Sequence, residues 1–188
     1  MWRLWVGGVG MQLIDALDEI AQGVDQPIIA IDGPAGAGKT TLASTIFLAL
    51  SPHISTKVIH MDELYPGWES ALGDELTKTL TWVTSCHKAK KPLLYSSFNW
   101  AANEFADPKS HPSTQLLILE GVASAQIAIE ESLATSIWLD LDPLIGYQRV
   151  IDRDGEKISR EMTQWLVMQE QHFAADRTKE RCEFLLST

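Results

Sequence analysis

Eight consecutive residues, Gly33-Pro34-Ala35-Gly36-Ala37-Gly38-Lys39-Thr40, fit the pattern G-x-x-x-x-G-K-[ST] at each fixed position. Each residue type has a reason to be there. The glycines allow backbone N–H groups to curl around phosphate oxygens, and a helix beginning at the lysine adds its positive end. Lys39 supplies a mobile cation for the β- and γ-phosphates, and the Thr40 hydroxyl is a ligand for Mg²⁺. Thr41 follows within the same helical turn and completes the candidate nucleotide contacts. The expected ligands are therefore ATP and Mg²⁺.

Two acids stand where short apolar runs end. Asp62 closes Val58-Ile59-His60-Met61-Asp62, and Glu120 closes Leu116-Leu117-Ile118-Leu119-Glu120. A carboxylate at the carboxyl end of a parallel strand faces the crevice in which open α/β sheets bind ligands. Asp62, on a strand expected beside the P-loop strand, can take the proton of an attacking hydroxyl or hold the metal. Glu120 suits the metal, directly or through a bound water. Either acid can instead be a turn or cap residue, and Glu63 competes with Asp62 for the role of base. Arg149 and Arg153, four residues apart and hence on one helical face, are cations available to phosphate or to surface pairing. Tyr65, Trp68, Phe98, Asn99 and Trp100 fall outside core periodicity, where aromatic faces can stack on an acceptor and Asn99 can donate and accept hydrogen bonds.

The elements that must hold these residues alternate. Apolar runs at 27–31, 58–61, 116–119 and 136–139 predict strands covered on both faces. Between them the apolar period predicts helices over 11–22, 40–50, about 69–90, 123–132, 143–153 and 159–174. Strands alternating with helices mean an α/β fold with a mainly parallel sheet. The segment 96–114, rich in Ser, Asn, Asp and Pro, predicts a long loop, and such loops often serve function.

Composition narrows the chemistry. The 188 residues carry a formal charge of −10, which disfavours nucleic-acid backbones and anionic membrane surfaces as partners. No run approaches the roughly 20 apolar residues of a membrane span. Cys86 and Cys182 are far apart and lack the paired spacing of a zinc site, so a reducing, cytoplasmic setting is expected. The opening MWRLWVGGVG has neither a sustained apolar core nor a cleavage site for a signal peptide. Residues 1–10 are expected to form a disordered arm or an over-extended start, with Met11 the alternative initiator. The guanine-reading N-K-x-D and T-K-x-D tetrapeptides and the transporter signature L-S-G-G-Q do not occur.

In combination, IDGPAGAGKTT, HMDELY, LILEG and IWLD followed by an Arg-bearing stretch resemble the uridine kinase and phosphoribulokinase branch of P-loop kinases. The likeness runs from about residue 27 to about 185. It is closest to small uridine kinase-like ATP-binding proteins of actinobacterial type, through Asp62-Glu-Leu-Tyr65-Pro-Gly-Trp68, Phe98-Asn99-Trp100-Ala-Ala and Gln169-Glu-Gln-His172-Phe173. The resemblance implies a P-loop NTPase three-layer sandwich with a short helical lid, in a single domain over 11–188. It implies phosphoryl transfer from ATP to a small, nucleoside-like hydroxyl acceptor, with Asp62 as base, Thr40 and an acid on Mg²⁺, and lid arginines on the transferring group. Uridine kinases usually carry D-x-F-Y where this chain has D-E-L-Y followed by P-G-W. The other open reading is an ATP-hydrolysing regulatory protein with a protein partner and no small acceptor. A monomer or homodimer is expected.

Overall fold

The computed structural model describes residues 9–188. Helix α1 (Val9–Gly23) leads into β1 (Ile28–Asp32), the Gly33–Gly38 turn and helix α2 (Lys39–Leu50). β2 (Thr56–His60), helix α3 (Asp74–Lys88) and four short strands follow: β3 (Leu93–Tyr95), β4 (Phe98–Asn99), β5 (Glu104–Phe105) and β6 (Lys109–His111). The chain continues through β7 (Leu116–Glu120), β8 (Thr135–Asp140), α4 (Pro143–Asp154), α5 (Ser159–Asp176), the short α6 (Thr178–Arg181) and β9 (Phe184–Ser187).

The central sheet has five strands in the order β2-β7-β1-β8-β9, and every pairing in it is parallel. β1 and β7 are buried along their whole length, as their continuous apolar runs require when helices cover both faces. Alternate side chains of β1 divide between two cores. Ile29 and Ile31 pack with Leu13 and Leu17 of α1 and with Ala43 and Ile46 of α2. On the opposite face, Ile28 and Leu119 pack with Leu76, Leu80 and Val83 of α3 and with Met162 and Trp165 of α5. The result is a three-layer α/β sandwich with all strand carboxyl ends on one edge.

Several expectations shift. The strand carrying Asp62 does not neighbour the P-loop strand, because β7 lies between β2 and β1. Glu120 therefore stands closer to the P-loop in the sheet, opposite both Ile31 and His60. Asp62 itself lies in a 3-10 turn, Met61–Glu63, just past β2. The helix expected over 69–90 is confined to 74–88, beginning after Gly73. The one expected over 123–132 is a 3-10 segment, Ile127–Ser132. The long loop expected over 96–114 is instead tied down, with β3 pairing antiparallel to β6 and β4 to β5. Strand β9 was not expected at all. Of the arm expected over residues 1–10, residues 1–8 lie outside the described residues, and α1 begins at Val9.

Two features shape the edge that carries the chemistry. Helix α4 starts on an Asp142 cap, whose carboxylate accepts from the N–H groups of Leu144 and Ile145, with Pro143 in the first turn. Its third residue after the cap pair, Gly146, presses backbone against backbone on the P-loop: a Cβ there would come within 2.4 Å of Ala35 O, and one on Gly36 within 2.4 Å of Gly146 O. Only glycine at both positions permits that approach.

Candidate functional site

The Gly33–Thr40 turn emerges from β1 and enters α2, the strand-turn-helix setting that a phosphate cradle needs. Gly36 and Gly38 adopt φ of +77° and +88°, left-handed values that let successive backbone N–H groups converge on an anion. Lys39 is buried, and its Nζ donates to Gly33 O and Pro34 O, each at 2.8 Å. Burial pulls its pKa down, while Asp32, Glu120 and Asp62 act in the opposite sense.

Beside the cradle, the Thr40 hydroxyl donates to Glu120 Oε1 at 3.1 Å, and His60 Nδ1 meets the same oxygen from β2. Glu120 is itself buried. Asp62 is exposed to the cleft. Desolvation by the cleft walls, reinforced by the Glu120 carboxylate, raises its pKa, and Lys39 and Arg153 oppose the rise. Among the described residues no group of three or more His, Cys, Asp and Glu side chains encloses a cation. The donors present do fit Mg²⁺, which keeps water and takes phosphate oxygens alongside one or two carboxylates. Thr40 and Glu120 would hold it in that manner, leaving the Asp62 carboxylate uncoordinated.

A cleft of about 620 Å³ joins these groups, lined at one end by Gly36, Gly38, Lys39, Thr40 and Thr41 and further along by Asp62, Glu120, Arg149 and Arg153. Ala35 also lines it; Gly33, Pro34 and Ala37 lie behind, in the wall of the cradle. Gly33 sits tight against β8, where a Cβ would meet Leu139 O at 2.4 Å. Arg149 donates to Gly36 O at 3.3 Å, tying α4 to the P-loop. Arg153 makes a bidentate pair with Asp154, at 2.7 and 2.6 Å, which raises its pKa further. The pairing partner is thus the next residue along, and Asp62 lies near enough to act electrostatically on the same guanidinium.

Tyr65, Trp68 and Trp100 line the cleft, whereas Asn99 does not. The Asn99 side-chain carbonyl accepts from the N–H groups of Ala101 and Ala102, both at 3.1 Å, and so caps its own turn. Tyr65 is almost wholly buried, and its hydroxyl donates to Val122 O at 2.7 Å. Glu63 lies outside the cleft lining: the Tyr95 and Ser97 hydroxyls both donate to its Oε2 at 3.2 Å, so it braces the β3 segment.

Several residues to which the sequence patterns assign no role in the site stand in it or beside it. Asp32 is fully buried and accepts from the N–H groups of Gly33, Ala123 and Ala125 at 2.8, 3.1 and 2.9 Å. It fastens the P-loop to the segment after β7. Gln169, from the late Gln-Glu-Gln-His-Phe run, reaches into the site from α5: its Oε1 accepts from Ala35 N–H at 3.0 Å and from the Trp165 indole at 3.1 Å. Trp165, buried in the core, also lines the cleft.

No protein-family model and no curated protein matches the chain by sequence. Solved structures do match by shape. A possible uridine kinase from Bacillus stearothermophilus superposes with a TM-score of 0.65 at 18% identity, covering 94% of this chain and 98% of that one. A candidate fructose transport system kinase from Silicibacter sp. gives 0.67 at 18% identity, covering 97% and 100%. A candidate P-loop kinase with a circular permutation from Saccharomyces cerevisiae gives 0.58 at 11% identity, covering 95% and 98%. The chain has the uridine kinase-like P-loop kinase fold.

Proposed function

We propose that this protein is an ATP- and Mg²⁺-dependent kinase that transfers a phosphoryl group to a hydroxyl of a small, nucleoside-like metabolite. The observation that carries the proposal is the single cleft in which the P-loop, the Thr40–Glu120 pair, the lid arginines and the Asp62 carboxylate converge. The kinase names attached to structures of the same fold support it. Bound Mg²⁺ would neutralise charge on the phosphate oxygens. Lys39 and the P-loop N–H groups grip the triphosphate.

Asp62 takes the proton of the acceptor hydroxyl. The hydroxyl oxygen then bonds to the γ-phosphorus as the bridging oxygen bond breaks, and the electron pair leaves with ADP. A carboxylate whose pKa is raised is a better proton acceptor than an ordinary one, provided it remains ionised at the working pH. Arg149 and Arg153 stabilise charge on the group in flight; the pair with Asp154 uses Nε and Nη2 of Arg153 and leaves other guanidinium N–H groups for phosphate.

Asp62→Asn keeps the size of the side chain and removes the proton acceptor. Acceptor phosphorylation should fall by about 10²–10⁴-fold, while ATP binding by calorimetry should change only a few-fold, roughly in line with an intact phosphate grip. Glu63→Gln should leave phosphorylation close to wild type. A silent Asp62→Asn beside a damaging Glu63→Gln would reverse the assignment of the base, and two silent variants would remove the mechanism.

A further inference from the structure

Resting on the reading that the cleft takes a nucleotide with Mg²⁺, we infer that His60 is a positioning residue for the metal: from outside the cleft, its imidazole holds the Glu120 carboxylate in the orientation that a cation beside Thr40 requires. His60 ends β2 and lies directly opposite Glu120, which ends β7. Because side chains alternate between the faces of a sheet, this register is what brings the two together. His60 Nδ1 meets Glu120 Oε1.

The same oxygen accepts from the Thr40 hydroxyl at 3.1 Å, so contacts from two different elements, β2 and α2, converge on it. Oε2 is engaged less closely, 3.4 Å from Thr40 Oγ1. A carboxyl group has a broad, two-fold preference about its last bond, and a single donor leaves much of that rotation open. Two donors held by separate elements fix its plane. An ionised carboxylate, the form that binds metal, only accepts, so His60 Nδ1 is the donor of the pair.

Burial separates the two partners. The Glu120 side chain is 6% exposed and lines the cleft, whereas the His60 side chain is 40% exposed and does not. The ring thus lends one N–H to a buried oxygen while much of it remains in solvent. It does not serve Mg²⁺ directly, since that ion takes oxygen ligands and Nδ1 is engaged by Glu120. The phosphate cradle is held by other bonds, from Lys39 Nζ to Gly33 O and Pro34 O and from Ala35 N–H to Gln169. Loss of the His60 donor should therefore weaken the metal and spare the nucleotide.

The test titrates Mn²⁺, a cation of similar ligand preference, into the full chain with ADP present and follows water-proton relaxation, which reports Mn²⁺ immobilised on protein. ADP binding in EDTA is measured alongside by calorimetry. His60→Phe keeps a ring and removes the donor; His60→Asn keeps an N–H at the place of Nδ1. His60→Phe should weaken Mn²⁺ binding by about 10–100-fold, the usual cost of losing a partner that orients a metal ligand, and His60→Asn should recover most of that loss. ADP binding without metal, and the melting temperature of the ligand-free chain, should match wild type in both. In a Glu120→Gln background His60→Phe should cost nothing further, as expected of a residue that acts through another.

Wild-type Mn²⁺ affinity in His60→Phe, an Asn variant as weak as the Phe variant, an equal loss of metal-free ADP binding, or a further loss in the Glu120→Gln background would each overturn the inference. A wild-type chain that binds no ADP, or binds ADP without Mn²⁺, would overturn the reading of the cleft and this inference with it, before any variant is compared. Mn²⁺ results as stated, in a protein that phosphorylates no acceptor, would uphold the inference and count against the kinase reading alone.

Discussion

Asp32 carries more of the site's energetics than its modest size suggests. Burial pushes its carboxyl up to about 6, against the opposing pull of three backbone N–H donors and Lys39. The folded protein thus holds this proton more tightly than the unfolded chain does, where a value near 3.8 applies. The stability it confers is fully present below about 4 and is lost as pH rises through about 6. A shift of about two units corresponds to about 3 kcal/mol. Urea unfolding followed between pH 4 and 7.5 should therefore show a downward slope that Asp32→Asn flattens, and identical slopes in both proteins would mean that Asp32 binds no extra proton on folding. Sequence alone does not show this role. An acid beside a glycine at a strand end reads as a turn, and the N–H donors that define it come from residues 123 and 125. The strand-turn-helix placement of Lys39, Thr40 and the P-loop glycines is legible because local spacing alone specifies it.

Among the elements, α4 and the P-loop meet backbone to backbone at Gly36 and Gly146. Gly146→Ala puts a methyl into Ala35 O, so the helix must withdraw, taking Arg149 and Arg153 with it. We expect a loss of about 1–3 kcal/mol of stability, typical of overpacking, and a fall in ATP turnover of roughly tenfold or more, as misplaced groups near a reacting centre incur. Gly23→Ala, at the end of α1 with nothing within 4 Å, is the control and should stay within about 1 kcal/mol of wild type. Equal behaviour of the two variants would show that the backbone contact does not position the arginines. The buried strands β1, β7 and β8 and the longer helices were readable from apolar period. The paired strands β3 to β6 were not, since pieces of two or three largely polar residues carry no period. Nor was the insertion of β7 between β2 and β1 readable, because strands close in sequence are by default expected to be neighbours.

For the molecule as a whole, a chain of net charge −10 offers few places for a polyanion, and on the proposed reading the cleft at the sheet's carboxyl edge takes one. Binding there should stabilise the fold by about 2.7 kcal/mol at a nucleotide concentration 100 times Kd, which raises Tm by roughly 5–10 °C for a chain of this size. Lys39→Ala should abolish most of that shift in a thermal-melt assay with Mg-ATP, and an undiminished shift would place the nucleotide elsewhere. No helix among the described residues is long and apolar enough to cross a membrane. The strand order has a consequence for biosynthesis. β1 is synthesised early, yet both of its sheet partners, β7 and β8, lie at 116–120 and 135–140. Because chains emerge from the ribosome N-terminus first, the Gly33–Thr40 turn is translated long before the strands that hold it. A nascent chain halted before residue 116 carries the whole motif and no neighbour for β1. On the proposed reading, grip on a nucleotide is therefore conferred late in translation, by residues far downstream of the motif.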